Sequence, residues 1–313
     1  MFWRGLLFRL ACLCMWLGCV PLWVHAAPVS VLIVSAERNA AFTQAAEVFI
    51  DELERAGVSR SSVQYLTLAE TRTTATTVGQ LVLALGVEAS TEMARSETRV
   101  PILCAFVPSQ SFESIVLSNP RKGVSPISAI YLNQPLGRQL DLIRLALPER
   151  QHIGVLLGSH SSAQVSLLEG QRRMRSLGLT HVQIDGNESI FAKLQALLEE
   201  SQVLLALPDP QVFNSGTLQN ILLSTLRAGV PMVSFSPAYV KAGALMAIYS
   251  TPAQVGLQAA QLTRAVLQGK DLAQPQYPRE FRIDVNASLA RSMSLDIDAQ
   301  TLTERLLRLE PKK

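Results

Sequence analysis

VLLALPDPQVFNSGTLQNILLSTLRAGVPMVSFSPAYVKAGALMAIYSTPAQVGLQAAQLTRAVLQG, residues 203–269, alternates short apolar runs with amphipathic segments. Three apolar runs, Val203 to Leu207, Met232 to Phe235 and Leu245 to Tyr249, are too short for helices and are bounded by Pro, Gly or Ser, so they read as buried strands. Amphipathic segments lie between them. Thr251-Pro252-Ala253-Gln254 combines an N-cap, a proline at the first helical position and a capping-box glutamine, opening a helix that ends near Gly269. Strand and helix in alternation point to an α/β fold, a parallel sheet covered by helices.

The alternation continues upstream. Val29 to Val34 reads as a first strand, followed by Asn39 as N-cap and a helix with Phe42, Ala45, Ala46, Phe49 and Leu53 on one face, ended by Gly57. Further strands are expected at Val63 to Leu68, Leu81 to Leu85, Ile102 to Phe106, Ile127 to Leu132, Ile153 to Leu157 and His181 to Ile184. Helices are expected from Leu136 to Leu147, stopped by Pro148, and from Ala163 to Gly178. At roughly 150 residues per domain, 313 residues hold two such sets. The first crossing between them falls at Tyr131 to Pro135; the tail from Pro275, with the strand-like Phe281 to Val285, reads as another connection.

Composition narrows the function. The chain is 48% apolar and 17% charged, with a net charge of +3 and a mean hydropathy of +0.23, high for a soluble globular protein. Much of the excess sits in the first 26 residues, where Arg4 and Arg9 precede an apolar run that ends at Val24-His25-Ala26. These are the three parts of a secretory signal peptide, and cleavage after Ala26 leaves 287 residues. A permanent anchor fits less well, because the run from Leu10 to Val24 is shorter than the ~20 residues that span a bilayer, and Pro21 interrupts it. Lipidation at Cys19 is the weaker variant, since Trp16 stands where such boxes usually carry Leu. Loss of the leader lowers the charge from +3 to +1, because it removes two arginines and no acid. It also removes every tryptophan and leaves Cys104 as the sole thiol, so no internal disulfide is expected. A near-neutral chain gives no electrostatic case for nucleic acid.

Catalytic and cofactor motifs are missing from the sequence. Neither G-x-G-x-x-G after a strand nor G-x-x-x-x-G-K-[ST] occurs, so no dinucleotide or phosphate-loop cofactor is expected. The histidines at 152, 160 and 181 have no metal-ligand spacing, so no metal is expected either. Gly158-Ser159-His160-Ser161-Ser162 superficially suggests a nucleophile turn, but G-x-S-x-G is not satisfied, and a serine cap explains it as well.

Two stretches carry a resemblance. QLDLIRLALPERQHIGVLL (139–157) resembles the entry to the second lobe of periplasmic substrate-binding proteins of ABC transporters. Residues 204–297 are similar to the C-terminal half of the type I family that includes aromatic amino-acid binders. The ordered landmarks are Asp209-x-x-Val212, Gly229-Val230-Pro231, Tyr239-Val240-x-x-Gly243-Ala244-Leu245, Gly256-x-x-Ala259-Ala260, Leu267-x-Gly269 and Asn286-x-x-x-Ala290. The resemblance implies two doubly wound parallel-sheet lobes joined by a multi-strand hinge and closing over a small molecule. The lobe bounds expected are 27–131 plus about 250–275, and 132–249 plus about 276–313.

In such a fold the ligand sits beyond the carboxyl ends of parallel strands. Those ends give Ser35, Glu37, Arg38 and Asn39, then Glu88 and Ser90, then Ser109, from the first lobe. The second lobe gives Ser159, Ser161, Asp209, Gln211 and Ser236, while Tyr131 at the hinge and Tyr249 add aromatic surface. Relatives tend to carry Thr-Pro-Ala after the third strand and an acid after the strand matching Leu245 to Tyr249; here stand Val87-Glu88-Ala89 and Ser250-Thr251-Pro252. The α-amino-acid clamp is therefore incomplete, and an amino acid or related molecule is one ligand class among others. The expected function is non-enzymatic capture of a small molecule by a periplasmic monomer and its delivery to an ABC permease. Two alternatives stand beside it: a sensor subunit signalling to a membrane receptor kinase or uptake system, and, more remotely, a secreted hydrolase using Ser161 with His160.

Overall fold

The computed structural model describes residues 29–74, 78–119, 125–184 and 189–310. The expected leader, Cys19 included, lies outside them. A first sheet holds β1 (Val29–Ser35), β2 (Val63–Thr67), β3 (Val78–Leu85), β4 (Ile102–Val107) and β5 (Ile127–Tyr131), all parallel, in the order β2-β1-β3-β4-β5. A second sheet holds β6 (His152–Leu157), β7 (Gly178–Gln183), β8 (Val203–Leu205), β9 (Met232–Ser234), β10 (Met246–Tyr249) and β11 (Arg282–Val285), in the order β11-β10-β9-β8-β6-β7.

Side-chain alternation explains why helices cover both faces of each sheet. In β1, Val31 and Ile33 pack on α1 (Ala40–Arg55) and α10 (Pro252–Leu267), while Leu32 and Val34 pack against the opposite face, with Ala89 and Phe112. Those two residues belong to α3 (Val87–Arg95) and α4 (Ser109–Ser118); the short α2 (Leu68–Thr71) follows β2. In β6, Val155 and Leu157 face α5 (Leu136–Ala146), α6 (Val165–Arg173) and α12 (Ala299–Leu309), and Leu156 faces α7 (Ile190–Glu199) and α8 (Leu218–Arg227). Two shorter helices, α9 (Pro237–Ala242) and α11 (Ala287–Ser292), flank β10 and β11 in sequence. Helix α10 thus belongs with the first sheet although the chain reaches it from the second.

One local expectation needs correction. The helix expected to end at Gly178 stops at Arg173, and the left-handed residue that turns the chain is Ser176 (φ 56°). Gly178 instead opens β7, where a Cβ would lie 2.3 Å from His152 Nδ1, so glycine is required by close approach and not by a helix end. The tail expected as a connection does cross between the sheets, and its strand-like Phe281 to Val285 forms β11, an antiparallel edge strand on β10.

Three crossings join the sheets, and topology fixes where they lie. The first runs from the carboxyl end of β5 to the N-terminus of α5, and the second from the carboxyl end of β10 to the N-terminus of α10. A helix flanking a parallel sheet runs antiparallel to its strands, so both crossings connect the carboxyl edges of the two sheets. The third passes Gln276, which pairs in parallel with β5 through Tyr131 N–H to Gln276 O (3.0 Å) and Gln276 N–H to Ala129 O (2.9 Å), then enters β11 beside Tyr249. Gln134 Nε2 donates to Ser250 Oγ at 2.9 Å, and Ser250 Oγ donates to Glu280 O at 2.5 Å, so one chain of bonds ties all three crossings.

Candidate functional site

Because the crossings leave from strand carboxyl ends, the loops that follow those strands border one crevice. On the rim of the first sheet, Ser35 is buried; its hydroxyl donates to Glu37 O (2.8 Å) and shares a bond with the Tyr65 hydroxyl (2.9 Å). Arg38 lies over the Tyr65 ring at 5.3 Å and donates to Tyr65 O and to the Glu70 carboxylate. Backbone and hydroxyl bonds from Thr67 hold Glu70 below the usual carboxylate range, with Arg38 adding to them. Asn39 caps α1 through Phe42 N–H, and Ser90 Oγ donates to Gly86 O. Glu37 and Glu88 are exposed.

The same rim holds an aromatic pair, Phe42 and Phe106, which also packs on the first-sheet core as the helix face and strand end expected from the sequence. Phe106 sits in a bulge at the end of β4 with φ 59°, a conformation that costs a bulky residue energy and is characteristic of held, functional backbone. Its ring lies 5.4 Å from that of Phe42, at the start of α1. Gly86 makes room for them: its φ is 89°, and a Cβ there would lie 2.9 Å from the Phe42 ring. A second aromatic group forms at the hinge, where Tyr131 stands 5.0 Å edge-on to Tyr277 and 6.0 Å from Phe112. Ser109 is locked beside it: its N–H donates to Asn133 Oδ1 (2.8 Å), its hydroxyl accepts from Asn133 Nδ2, and it hydrogen-bonds Tyr277. Burial, then Glu113, pushes both phenols up.

On the second rim, Ser159, Ser161, Asp209 and Gln211 do come together, but around one another. Asp209 is buried, and its Oδ2 accepts from Gly158 N–H (3.0 Å), His160 N–H (3.1 Å) and Ser161 Oγ (2.7 Å), while Oδ1 accepts from Gln211 N–H (2.9 Å). Ser159 N–H donates to Gln211 Oε1, and Gln211 Nε2 donates to Ile184 O. The carboxylate thus ties the loop after β8 to the loop after β6, and Gln211 ties both to the end of β7. Gly158 is required there, since a Cβ would lie 2.7 Å from Asp209 Oδ1. Ser236 caps α9 through Ala238 N–H. Tyr249 donates to Asp284 Oδ2 (2.9 Å), and burial together with that bond pushes its phenol up to about 12.

This arrangement does not form a Ser-His-Asp relay. Ser161 is bonded to Asp209 and not to His160, whose Nδ1 faces both Ser159 Oγ (3.2 Å) and Asp209 (3.9 Å). A relay needs serine and acid on opposite nitrogens of the ring. Cys104 is buried within β4, on the face packed by α3 and α4. Among the described residues, no group of three or more His, Cys, Asp or Glu side chains could hold a metal ion, and no helix is long and apolar enough to cross a membrane.

Comparisons with known proteins agree with this architecture. A search of curated proteins returned no match. Among solved structures, a ligand-free, open substrate binding protein with adhesive properties from Clostridium difficile superposes with a TM-score of 0.68 at 14% identity, over 86% of this chain and 96% of that one. An ABC domain from Streptococcus pneumonia, in complex with L-Trp, gives 0.63 at 14% identity over 89% and 98%. A conserved domain protein from Vibrio cholerae gives 0.61 at 17% identity over 90% and 98%. At these identities the likeness is one of fold. The sequence profile of ABC transporter substrate binding proteins matches residues 31–306, nearly the whole described length, and the chain belongs to that family.

Proposed function

We propose that this family member is a periplasmic monomer that traps one small solute between two lobes and presents the closed form to an ABC permease, without covalent chemistry. The observation that carries the reading is the set of three crossings, which brings the loop ends of both sheets to one crevice. A solute touching both rims favours the closed state by its differential affinity for it. The lobes we assign are residues 27–131 with about 250–275, and 132–249 with about 276–313. Export follows from the sequence of residues 1–26, with cleavage after Ala26.

The rim chemistry favours a solute with a flat or apolar body, to pack on Phe42 and Phe106 and on the Tyr131–Tyr277 pair. An amino acid or a related molecule is the first class to test, given the L-Trp held by the Streptococcus relative. A ligand amine would need a countercharge other than Asp209, whose carboxylate already accepts four protein hydrogen bonds. Exposed Glu37 and Glu88 are the candidates. The test is a thermal-shift and small-angle scattering panel of amino acids, indoles and sugars. A binding solute raises Tm by mass action and compacts the protein; a panel in which none does either refutes capture of these classes.

A further inference from the structure

We propose that Arg138 is the positioning residue of the hinge, and that its ion pair with Glu310, at the end of the last helix, restrains the swing of the lobes. The inference rests on the two-lobe closure argued above. Arg138 is in the first turn of α5, directly after the first crossing, and its side chain is only 7% exposed. Three different parts of the chain meet on its guanidinium. Its NH1 donates to Gln134 Oε1 at 2.5 Å, in the first crossing, and to Pro278 O at 3.0 Å, in the third. Its Nε pairs with the Glu310 carboxylate, and the guanidinium carbon lies 4.6 Å from the centre of the Phe281 ring.

Gln134 extends the connection, because its Nε2 donates to Ser250 of the second crossing, which itself donates to Glu280 O of the third. One continuous path therefore runs from the end of α12 through Arg138 to every segment that must twist when the lobes move. Beside it lies a cavity of about 600 Å³, lined by Arg138, Tyr277, Pro278, Arg279, Leu306 and Glu310 among others. On that side the guanidinium joins the crossings and α12 across open space. A planar fork with several fixed donors can hold three acceptors in one geometry; a lysine ammonium keeps the charge and loses the fork. Each crossing can then rotate only with its neighbours.

The test uses the ligand-free full-length protein, with spin labels on p-acetylphenylalanine in place of Glu47 of α1 and Gln195 of α7, both exposed and on opposite lobes. Pulsed electron resonance then gives the distribution of lobe separations. Arg138→Met and Glu310→Gln are expected to widen that distribution about twofold, with Arg138→Lys between them and wild type, because hinge motion is set by the few segments that absorb it. Glu310→Gln leaves the buried arginine in place, so it tests the latch even where Arg138→Met fails to fold. Widths equal to wild type in Glu310→Gln, with Tm lowered or not, overturn the proposal: the cluster is then structural only. Failure of the solute-trap reading shows separately, as a wild-type distribution that no solute of the panel shifts.

Discussion

Replacing Asp209 by alanine tests whether the second rim is held by one buried carboxylate. Four donors point at it, and two of them, Gly158 N–H and Ser161 Oγ, are buried where water cannot replace the acceptor. Hydrogen bonds to a charged group contribute about 1.5–3 kcal/mol each, so losing the two buried ones costs about 3–6 kcal/mol. For a protein of this size, at about 2 °C per kcal/mol, that is a fall in Tm of roughly 6–12 °C. The donors from His160 and Gln211 are closer to solvent and add little, since water takes over. Asp209→Asn can keep its carbonyl on the three donors that share Oδ2 and turn its amide toward Gln211 N–H, so about 1–2 kcal/mol is expected. Urea denaturation of the ligand-free protein measures both. An alanine variant within about 1 kcal/mol of wild type refutes the structural role and returns Asp209 to the solute as a free countercharge.

Four other outcomes follow from the same structure. Gly256 lies where α10 crosses α1, and a Cβ would sit 2.3 Å from Ala45 O. Gly256→Ala therefore destabilises by about 1–2 kcal/mol in urea, because overpacking outweighs the gain of about 1 kcal/mol that alanine brings to an open helix; a stabilised variant contradicts the close approach. Phe106→Gly relieves about 1–2 kcal/mol of left-handed strain but gives up a ring pair of about 0.5–1.5 kcal/mol and the burial of a ring packed on the first-sheet core, about 1.5–3 kcal/mol, so ligand-free stability falls by up to about 3 kcal/mol while solute-induced thermal shifts shrink. Shifts as large as wild type remove Phe106 from the binding surface. The Tyr249 phenol, raised to about 12 in the folded protein, lies above an unfolded value of about 10. Its contribution is complete below pH ~10 and is lost as pH rises through ~12, so ultraviolet titration shows a late phenolate that Tyr249→Phe abolishes. A normal titration at that site refutes it. The lowered carboxyls of Glu70, Glu169 and Asp298 act in the opposite sense: what they contribute is present above the ordinary carboxylate range and is lost on acidification.

Much of the architecture was legible in the sequence because buried parallel strands are short apolar runs with unmistakable punctuation. Val203 to Leu207 and Met232 to Phe235 lie within two residues of the observed β8 and β9. Boundaries failed where a nonlocal contact decided them. Gly178 looked like a helix end and is a strand position pressed against His152; the strand character of Phe281 to Val285 was legible, but its partner was not, because β10 lies some thirty residues away. The loops bordering the crevice follow from where the strands end. What each polar residue does there is not legible, because the groups that could greet a solute are the same groups that satisfy loop backbone. Asn39 is the cap its position suggested, Ser236 is another, and Ser35, Ser90, Ser161 and Asp209 bond their own loops. Phe42 and Phe106 were hidden for the opposite reason, since phenylalanine reads as core and a left-handed backbone leaves no trace in the sequence.

Native mass spectrometry of the protein, purified without refolding, tests solute capture most directly. Solute capture predicts a population carrying one small molecule at unit stoichiometry, released on activation and restored by the same compound with a rise in Tm. A bare chain mass in every charge state, together with no thermal response to any solute of the panel, contradicts it.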